Sequence, residues 1–382
     1  MIKKILWVVI VLVVVVGAVS WFKTSTPTGD IKIGGLFAMT GKWAVGGETE
    51  ANFIKIAIDE INAAGGINGR KINFILEDDK CSGKDAVSAA SKLINVDKVK
   101  LILGPSCTAA ATPVVAVTDE AKVLIVAATV TAKGIFDKNK YAFRTSPPST
   151  DAAALIGEIA KSKYNLKNVA MLTESTDFSR SWSGDFASSF EAKGGKIAMK
   201  EEFVTGTTDF KTVLLKISSD KTIDGVYLSA QTPADAAVIV KQMKEIGLLK
   251  RVQIIGNPTT IDLPVNDASG KALPASAYTV IPFADNQALL KKYVDKYGTQ
   301  PGFQFFYTAA NYDMVYIMKN AIEKCGERDV TCVKNFLIND VKDWKGQVAN
   351  WSFSKNGDPI VSRGSYREMS IIDGKKVFTE IK

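Results

Sequence analysis

The sequence predicts an α/β protein made of two doubly wound units, each a parallel sheet flanked by helices. Three observations carry this expectation. Short apolar runs alternate with longer helical patterns from Ile31 onward. The alternation restarts after Pro147-Pro148. The 382 residues suffice for two domains of ordinary size. Hydrophobic residues make up 46% of the chain and charged residues 23%, the balance of a globular protein rather than a disordered or multi-span one.

Taken in order, residues 31–36 (IKIGGL) read as a strand. Residues 51–61 read as a helix, with Phe53, Ala57 and Ile61 on one face and Gly65-Gly66 as its stop. A second strand, 71–77, alternates at Ile72, Phe74 and Leu76. The helix 86–96 follows, with Ser82 or Asp85 placed to cap it. Then come a strand at 99–103, a helix at 112–121 with Pro113 in its first turn, and a strand at 123–127. This rhythm implies parallel strands joined by right-handed crossovers. In the second unit, helices are expected at 152–162, 183–193, 210–218 and 234–246, and strands at 169–172, 196–203, 225–228 and 252–255. A short strand at 278–281 precedes helices at 287–297, 306–325 and 330–339; the C-terminus reads as strands at 348–353 and 366–372.

The N-terminus carries a separate signal. Lys3 and Lys4 precede an apolar run from Ile5 to Val19, the pattern of a signal sequence or signal anchor. Ala18 and Ser20 have the small-residue spacing of a cleavage site. Counted on through Phe22, however, the run approaches the roughly 20 residues that span a bilayer, which favours an uncleaved anchor. Residues 23–30 read as a linker to the folded part, which is placed in the periplasm or on the outer face of the cytoplasmic membrane. Cys81, Cys107, Cys325 and Cys332 are even in number and contain no CxxC pair, so two disulfides are the simple reading outside the cytoplasm. A bridge between Cys81 and Cys107, expected in loops after adjacent strands, would fix two rim loops. Cys325 and Cys332 cannot meet along one unbroken helix, where seven residues span about 10 Å. Gly326 and Glu327-Arg328-Asp329 read as a turn after which Cys332 folds back.

Composition excludes several functions. The chain has no histidine, which removes Ser-His-Asp triads, Cys-His pairs and histidine zinc sites. No GxGxxG, P-loop or GxSxG motif appears, and Asp78-Asp79 lacks partner ligands at useful spacing; no enzyme activity, metal or cofactor is expected. The net charge of +8 is spread among 40 acidic residues with no basic block, so nucleic acid is not an expected partner.

What remains is binding. In open parallel sheets, ligands sit beyond the carboxyl ends of the strands. Those ends carry Thr40, then Ser106, Cys107 and Thr108, then Thr129 and Thr131, a row of small hydroxyls along one sheet edge. Thr108 also precedes a helix, whose free N–H groups and positive dipole end suit a carboxylate. The expectation is that Thr108, the Ala109 N–H and Thr131 grip an anionic head group.

These segments resemble a known family. IKIGGLFAMTGKWAVGGE (31–48), IDEINAAGGINGRKINFILEDDKC (58–81), LILGPSCTAAATPVVAV (101–117), FRTSPPSTDAAAL (143–155) and IDGVYLSAQTPADAAVIVKQMKEIGL (223–248) are similar to the leucine/isoleucine/valine-binding type of periplasmic substrate-binding protein, which serves ABC importers. The resemblance extends to about Ile372. It implies a type I periplasmic-binding fold with two Rossmann-like lobes, three hinge crossovers and a cleft between them. The lobes divide as residues 31–146 plus 279–350 and 147–278 plus 351–382, after a segment 1–22 and the linker 23–30. It implies a rim disulfide at Cys81 and Cys107. The implied ligand positions are Thr108, Ala109, Thr129 and Thr131 in lobe one. In lobe two they are Phe178, Gln231 or Thr232, and the neighbourhood of Pro258, with Tyr307 close to the cleft. The implied ligand is a small amino acid or related carboxylate or amide, the implied partner an ABC permease, and the protein a monomer. A ligand-sensing ectodomain of the same fold, acting through a membrane partner, is the competing class.

The chain departs from that pattern at three places. Asn257-Pro258-Thr259 stands where amino-acid binders carry an acid for the ligand's ammonium, Phe178 where Tyr is usual, and Gly46 where some members have Trp. Either Glu174 or Asp177 substitutes for the acid, or the ligand lacks an α-amino group.

Overall fold

The computed structural model describes residues 29–137, 139–231, 233–261, 277–301, 304–372 and 375–381. The N-terminal segment 1–22, most of the linker, and Thr232 lie outside the described residues.

In the first unit the chain runs β1 (Ile31–Phe37), α1 (Ala44–Ala63), β2 (Ile72–Asp78), α2 (Gly83–Asn95), β3 (Leu101–Leu103), α3 (Thr108–Glu120), β4 (Leu124–Ala127) and β5 (Ala142–Arg144). The five strands form one parallel sheet in the order β2-β1-β3-β4-β5. β4 is buried along its whole length, the near-continuous apolar run of a strand covered on both faces. One face packs Ile33, Phe53 and Leu101 against the returning C-terminal helices. The other packs Leu93, Ile102, Val114 and Ile125 under α2 and α3.

The second unit runs α4 (Ser149–Ser162), β6 (Asn168–Glu174), α5 (Asp177–Ala192), β7 (Lys196–Phe203), α6 (Lys211–Ser219), β8 (Gly225–Ser229), α7 (Pro233–Glu245), β9 (Gln253–Gly256), α8 (Pro258–Ile261) and β10 (Ala277–Pro282). The chain then returns to the first unit through α9 (Gln287–Tyr297), α10 (Phe305–Cys325) and α11 (Val330–Asn339); both α9 and α10 pack on α1, and α11 packs on α10. A short ribbon, β11 (Trp344–Lys345) with β12 (Asn350–Trp351), leads back to β13 (Tyr366–Ile372) and β14 (Lys375–Glu380). The second sheet has the order β14-β13-β10-β9-β8-β6-β7, antiparallel only where β13 and β14 join its edge. Phe186 stacks on Tyr227 at 4.0 Å between centroids, and both belong to a core under α4 and α5.

Several expectations need correction. The β2 and β3 strands are not adjacent, because β1 pairs with both; Cys81 and Cys107 meet across the end of β1. The lobe boundary expected between Tyr278 and Thr279 falls inside β10, whose ladder with β13 runs to Pro282, so the crossover follows Pro282. The helix expected at 112–121 starts at Thr108, because the Cys107 carbonyl accepts from the Ala110 and Ala111 amides; Pro113 therefore sits in its second turn. The strand expected at 348–353 is only the two residues of β12, and β5 and β14 were not expected at all. Both disulfides form, with Cα separations of 5.4 Å for Cys81–Cys107 and 5.6 Å for Cys325–Cys332. In the second pair, α10 ends at Cys325 and Gly326, and Asp329 caps α11 through the Cys332 amide.

Candidate ligand-binding site

The strand ends of both sheets converge on one cavity. β3 delivers Ser106, Cys107 and Thr108, and Gly104 makes that turn possible. It has φ +104°, and a Cβ on it would fall 1.9 Å from the Leu36 carbonyl oxygen. Cys107 caps α3 in an extended conformation and its carbonyl takes the Ala110 and Ala111 amides, so of the first-turn amides only those of Thr108 and Ala109 have no intrahelical acceptor. β4 delivers Thr129 and Thr131. From the second unit come Phe178, in the first turn of α5 capped by Thr176, then Gln231 after β8, and Pro258 and Thr259 after β9. Tyr307 arrives on the first turn of α10. In this closed arrangement the cavity leaves about 30 Å³ for water-sized groups, well below the roughly 300–1,000 Å³ of small-molecule sites.

Of the residues singled out in the sequence, Thr108, Thr129, Thr131, Phe178, Gln231 and Tyr307 line this one cavity. The Ala109 side chain is exposed and does not line it; the expectation there concerns the Ala109 backbone N–H, which lies in the first turn of α3. Two large rings escaped sequence reasoning. Trp182 lies one turn after Phe178 on α5, with ring centroids 6.3 Å apart. That i, i+4 spacing beside a predicted site residue was the available signal. Trp43 precedes α1, and Gly46 makes room for it, since a Cβ there would lie 2.6 Å from the indole. The departure at Gly46 is thus matched by an aromatic ring from three residues earlier.

Hydrogen bonding sorts the polar wall by availability. Thr129 Oγ1 donates to the Ser106 carbonyl at 2.7 Å, so its hydrogen is committed to holding two loops together. Thr131 Oγ1 accepts from Trp182 Nε1 at 2.9 Å, which leaves its own hydrogen to donate. Gln231 Nε2 donates to Cys81 Sγ at 3.1 Å. Thr108 Oγ1 and Gln231 Oε1 are buried with no hydrogen-bond partner. Three of these contacts and pairs cross between the lobes: Trp182 to Thr131, Gln231 to Cys81, and Lys133 with Asp185. Gln304 Nε2 adds a fourth, to the Pro258 carbonyl at 3.3 Å. The two units are therefore closed upon each other.

Among the described residues, no Asp, Glu, Lys or Arg lines the cavity. Glu174 faces away, holding the Thr205 hydroxyl and the Gln231 amide, and Asp177 is exposed. Glu50 lies behind the wall, where the Ser106 hydroxyl donates to it; burial pushes its carboxyl up to about 8 against the lowering effect of Ser106 and Thr129. Burial likewise pushes Asp79 up to about 7, although the Cys81 amide donates to it at 2.7 Å. Asp78 accepts from the Met39, Thr40 and Lys80 amides and the Thr40 hydroxyl, and no cluster able to hold a metal occurs among the described residues.

Two Rossmann-like lobes crossed three times by the chain, with one cavity between their strand ends, define a binding protein of the type I periplasmic class. Comparison with known proteins agrees. The family model for periplasmic binding proteins matches residues 30–365, and the chain belongs to that family, one of binding proteins rather than enzymes. The leucine-, isoleucine-, valine-, threonine- and alanine-binding protein of Pseudomonas aeruginosa is 26% identical over 346 residues, 89% of this chain and 90% of that one. Among solved structures, the branched-chain amino acid transporter substrate-binding protein LivJ of Streptococcus pneumoniae, in complex with isoleucine, superposes with TM-score 0.80 at 26% identity, covering 92% of this chain and 99% of that one. A solute-binding protein of an ABC transporter from Rhodopseudomonas palustris, in complex with 3,4-dihydroxybenzoic acid, shares the fold at TM-score 0.78 and 23% identity, covering 92% of this chain and 96% of that one. Family membership places the folded part outside the cytoplasm, in keeping with its two disulfides. No helix among the described residues is long and apolar enough to cross a membrane.

Proposed function

We propose that this protein is the substrate-binding component of an ABC importer, capturing a small carboxylate-bearing ligand by hinge closure and passing it, as a monomer, to a membrane permease. The ligand carboxylate rests at the start of α3, on Thr108 and Thr131; Phe178, Gln231 and Tyr307 close over the rest. The hinge is formed by the three crossovers that follow Arg144, Pro282 and Trp351. The N-terminal segment exports the protein and anchors it at the membrane. The observation that carries this reading is a pair of buried polar atoms without partners, Thr108 Oγ1 from one lobe and Gln231 Oε1 from the other, in one cavity. Buried polar groups are nearly always satisfied, so each such atom calls for a partner.

The test is a thermal-shift screen with amino acids, short carboxylates, aromatic acids and amides. At least one compound should stabilise strongly, since a ligand at 100 times its Kd adds about 2.7 kcal/mol. No shift across the whole panel would reject capture.

A further inference from the structure

The chemistry of the wall narrows the ligand further. Four aromatic rings, Trp43, Phe178, Trp182 and Tyr307, surround the cavity from both lobes, and among the described residues no charged side chain joins them. The carboxylates nearby are otherwise engaged. Glu174 is held by Thr205 and the Gln231 amide, and Asp185 by Lys133 and the Ser149 hydroxyl. Glu50 is screened by Ser106. A ligand ammonium would exchange its hydration for ring faces and a single amide oxygen, with no anion to neutralise it, and burying an unpaired charge is costly. The polar atoms left over describe a different ligand. Thr108 and Thr131 have hydroxyls available to donate to a carboxylate, while Gln231, its Nε2 committed to Cys81, offers an acceptor. A quaternary ammonium suits aromatic faces but carries no N–H or O–H for that acceptor.

We infer that the ligand is an aromatic monocarboxylate without an α-ammonium, bearing an uncharged hydroxyl or amide donor that meets Gln231 Oε1. This rests on the capture reading of the same cavity. The test is calorimetric titration of the purified protein with compounds matched except for the ammonium: 3-(4-hydroxyphenyl)propanoate against L-tyrosine, and 4-hydroxybenzoate against L-leucine and glycine betaine. One of the two hydroxylated acids should bind at least about tenfold more tightly than L-tyrosine, L-leucine or betaine, a gap of about 1.4 kcal/mol. Tighter or equal binding of an amino acid, or of betaine, would overturn this inference and leave capture standing. If no compound in this set or in the wider panel binds, capture falls and the inference falls with it.

Discussion

The indole Nε1 of Trp182, on the second lobe, donates to Thr131 Oγ1, on the first, at 2.9 Å in the wall of the cavity. Both residues line that cavity, so the contact joins lobe closure to the polarity of the wall. It fixes the indole in place and turns the Thr131 hydroxyl into a donor toward the interior.

Replacing Trp182 by Phe keeps an aromatic ring and removes the N–H. A typical hydrogen bond contributes about 1 kcal/mol net, so the closed state should weaken and affinity for the best compound of the thermal-shift panel should fall about fivefold. Calorimetry of wild type and Trp182→Phe measures this. Unchanged affinity would mean that the contact plays no part in closure.

Glu50 makes a prediction about pH. Its carboxyl is raised by burial from the ordinary 4.5 to about 8 in the folded protein. The folded state therefore holds a proton that the unfolded chain gives up above its ordinary pKa. The stability this confers is complete below about pH 4.5 and is lost as pH rises toward about 8. Asp79, raised from 3.8 to about 7, acts in the same sense. Urea unfolding at pH 5 and pH 8 should show wild type less stable at pH 8. Glu50→Gln, which keeps the neutral shape, should flatten the slope by up to about 1.4 kcal/mol per pH unit, leaving the Asp79 contribution.

The two disulfides should separate stability from binding. By loop-closure entropy, removing Cys325–Cys332, with a sequence separation of 7, costs about 2.5 kcal/mol. Removing Cys81–Cys107, with a separation of 26, costs about 3.6 kcal/mol. Cys107 also caps α3 and lines the cavity. The Ser variants of the first pair should lower the melting temperature and spare ligand affinity, whereas those of the second should lower both.

Arg144 is buried where the first crossover meets the third. Its Nε donates to Asp358 at 2.6 Å, and its Nη1 donates to the Val130 and Ala132 carbonyls at 3.1 and 2.7 Å. Asp358→Ala leaves this guanidinium buried without its counter-charge and should cost about 3 kcal/mol in chemical denaturation.

Much of this site was legible in the sequence because hydroxyls beyond apolar runs mark strand ends. Thr108, Thr129 and Thr131 were readable in that way, whereas Phe178, Gln231 and Tyr307 came only through the family resemblance. Trp43 and Trp182 were not readable, because an aromatic residue near a helix start has the same local pattern whether it packs in a core or faces a ligand. Glu50 reads as the polar face of a helix; only the tertiary placement of Ser106 over it reveals a buried acid. The β2-β1-β3 order likewise has no trace in periodicity, since the same alternation serves any order of parallel strands. The start of α3 was read too late for a related reason, since the helix begins at Thr108, earlier than the apolar pattern indicates, which puts the Ala109 amide in its first turn.

The central claim is capture between the lobes on Thr108 and Thr131. The direct measurement is the thermal shift given by the most stabilising compound of the panel, recorded for wild type and for the double variant Thr108→Ala, Thr131→Ala. The shift should vanish in the variant while its ligand-free far-UV circular dichroism stays that of wild type. A shift of wild-type size in the variant would place the ligand elsewhere and contradict the site.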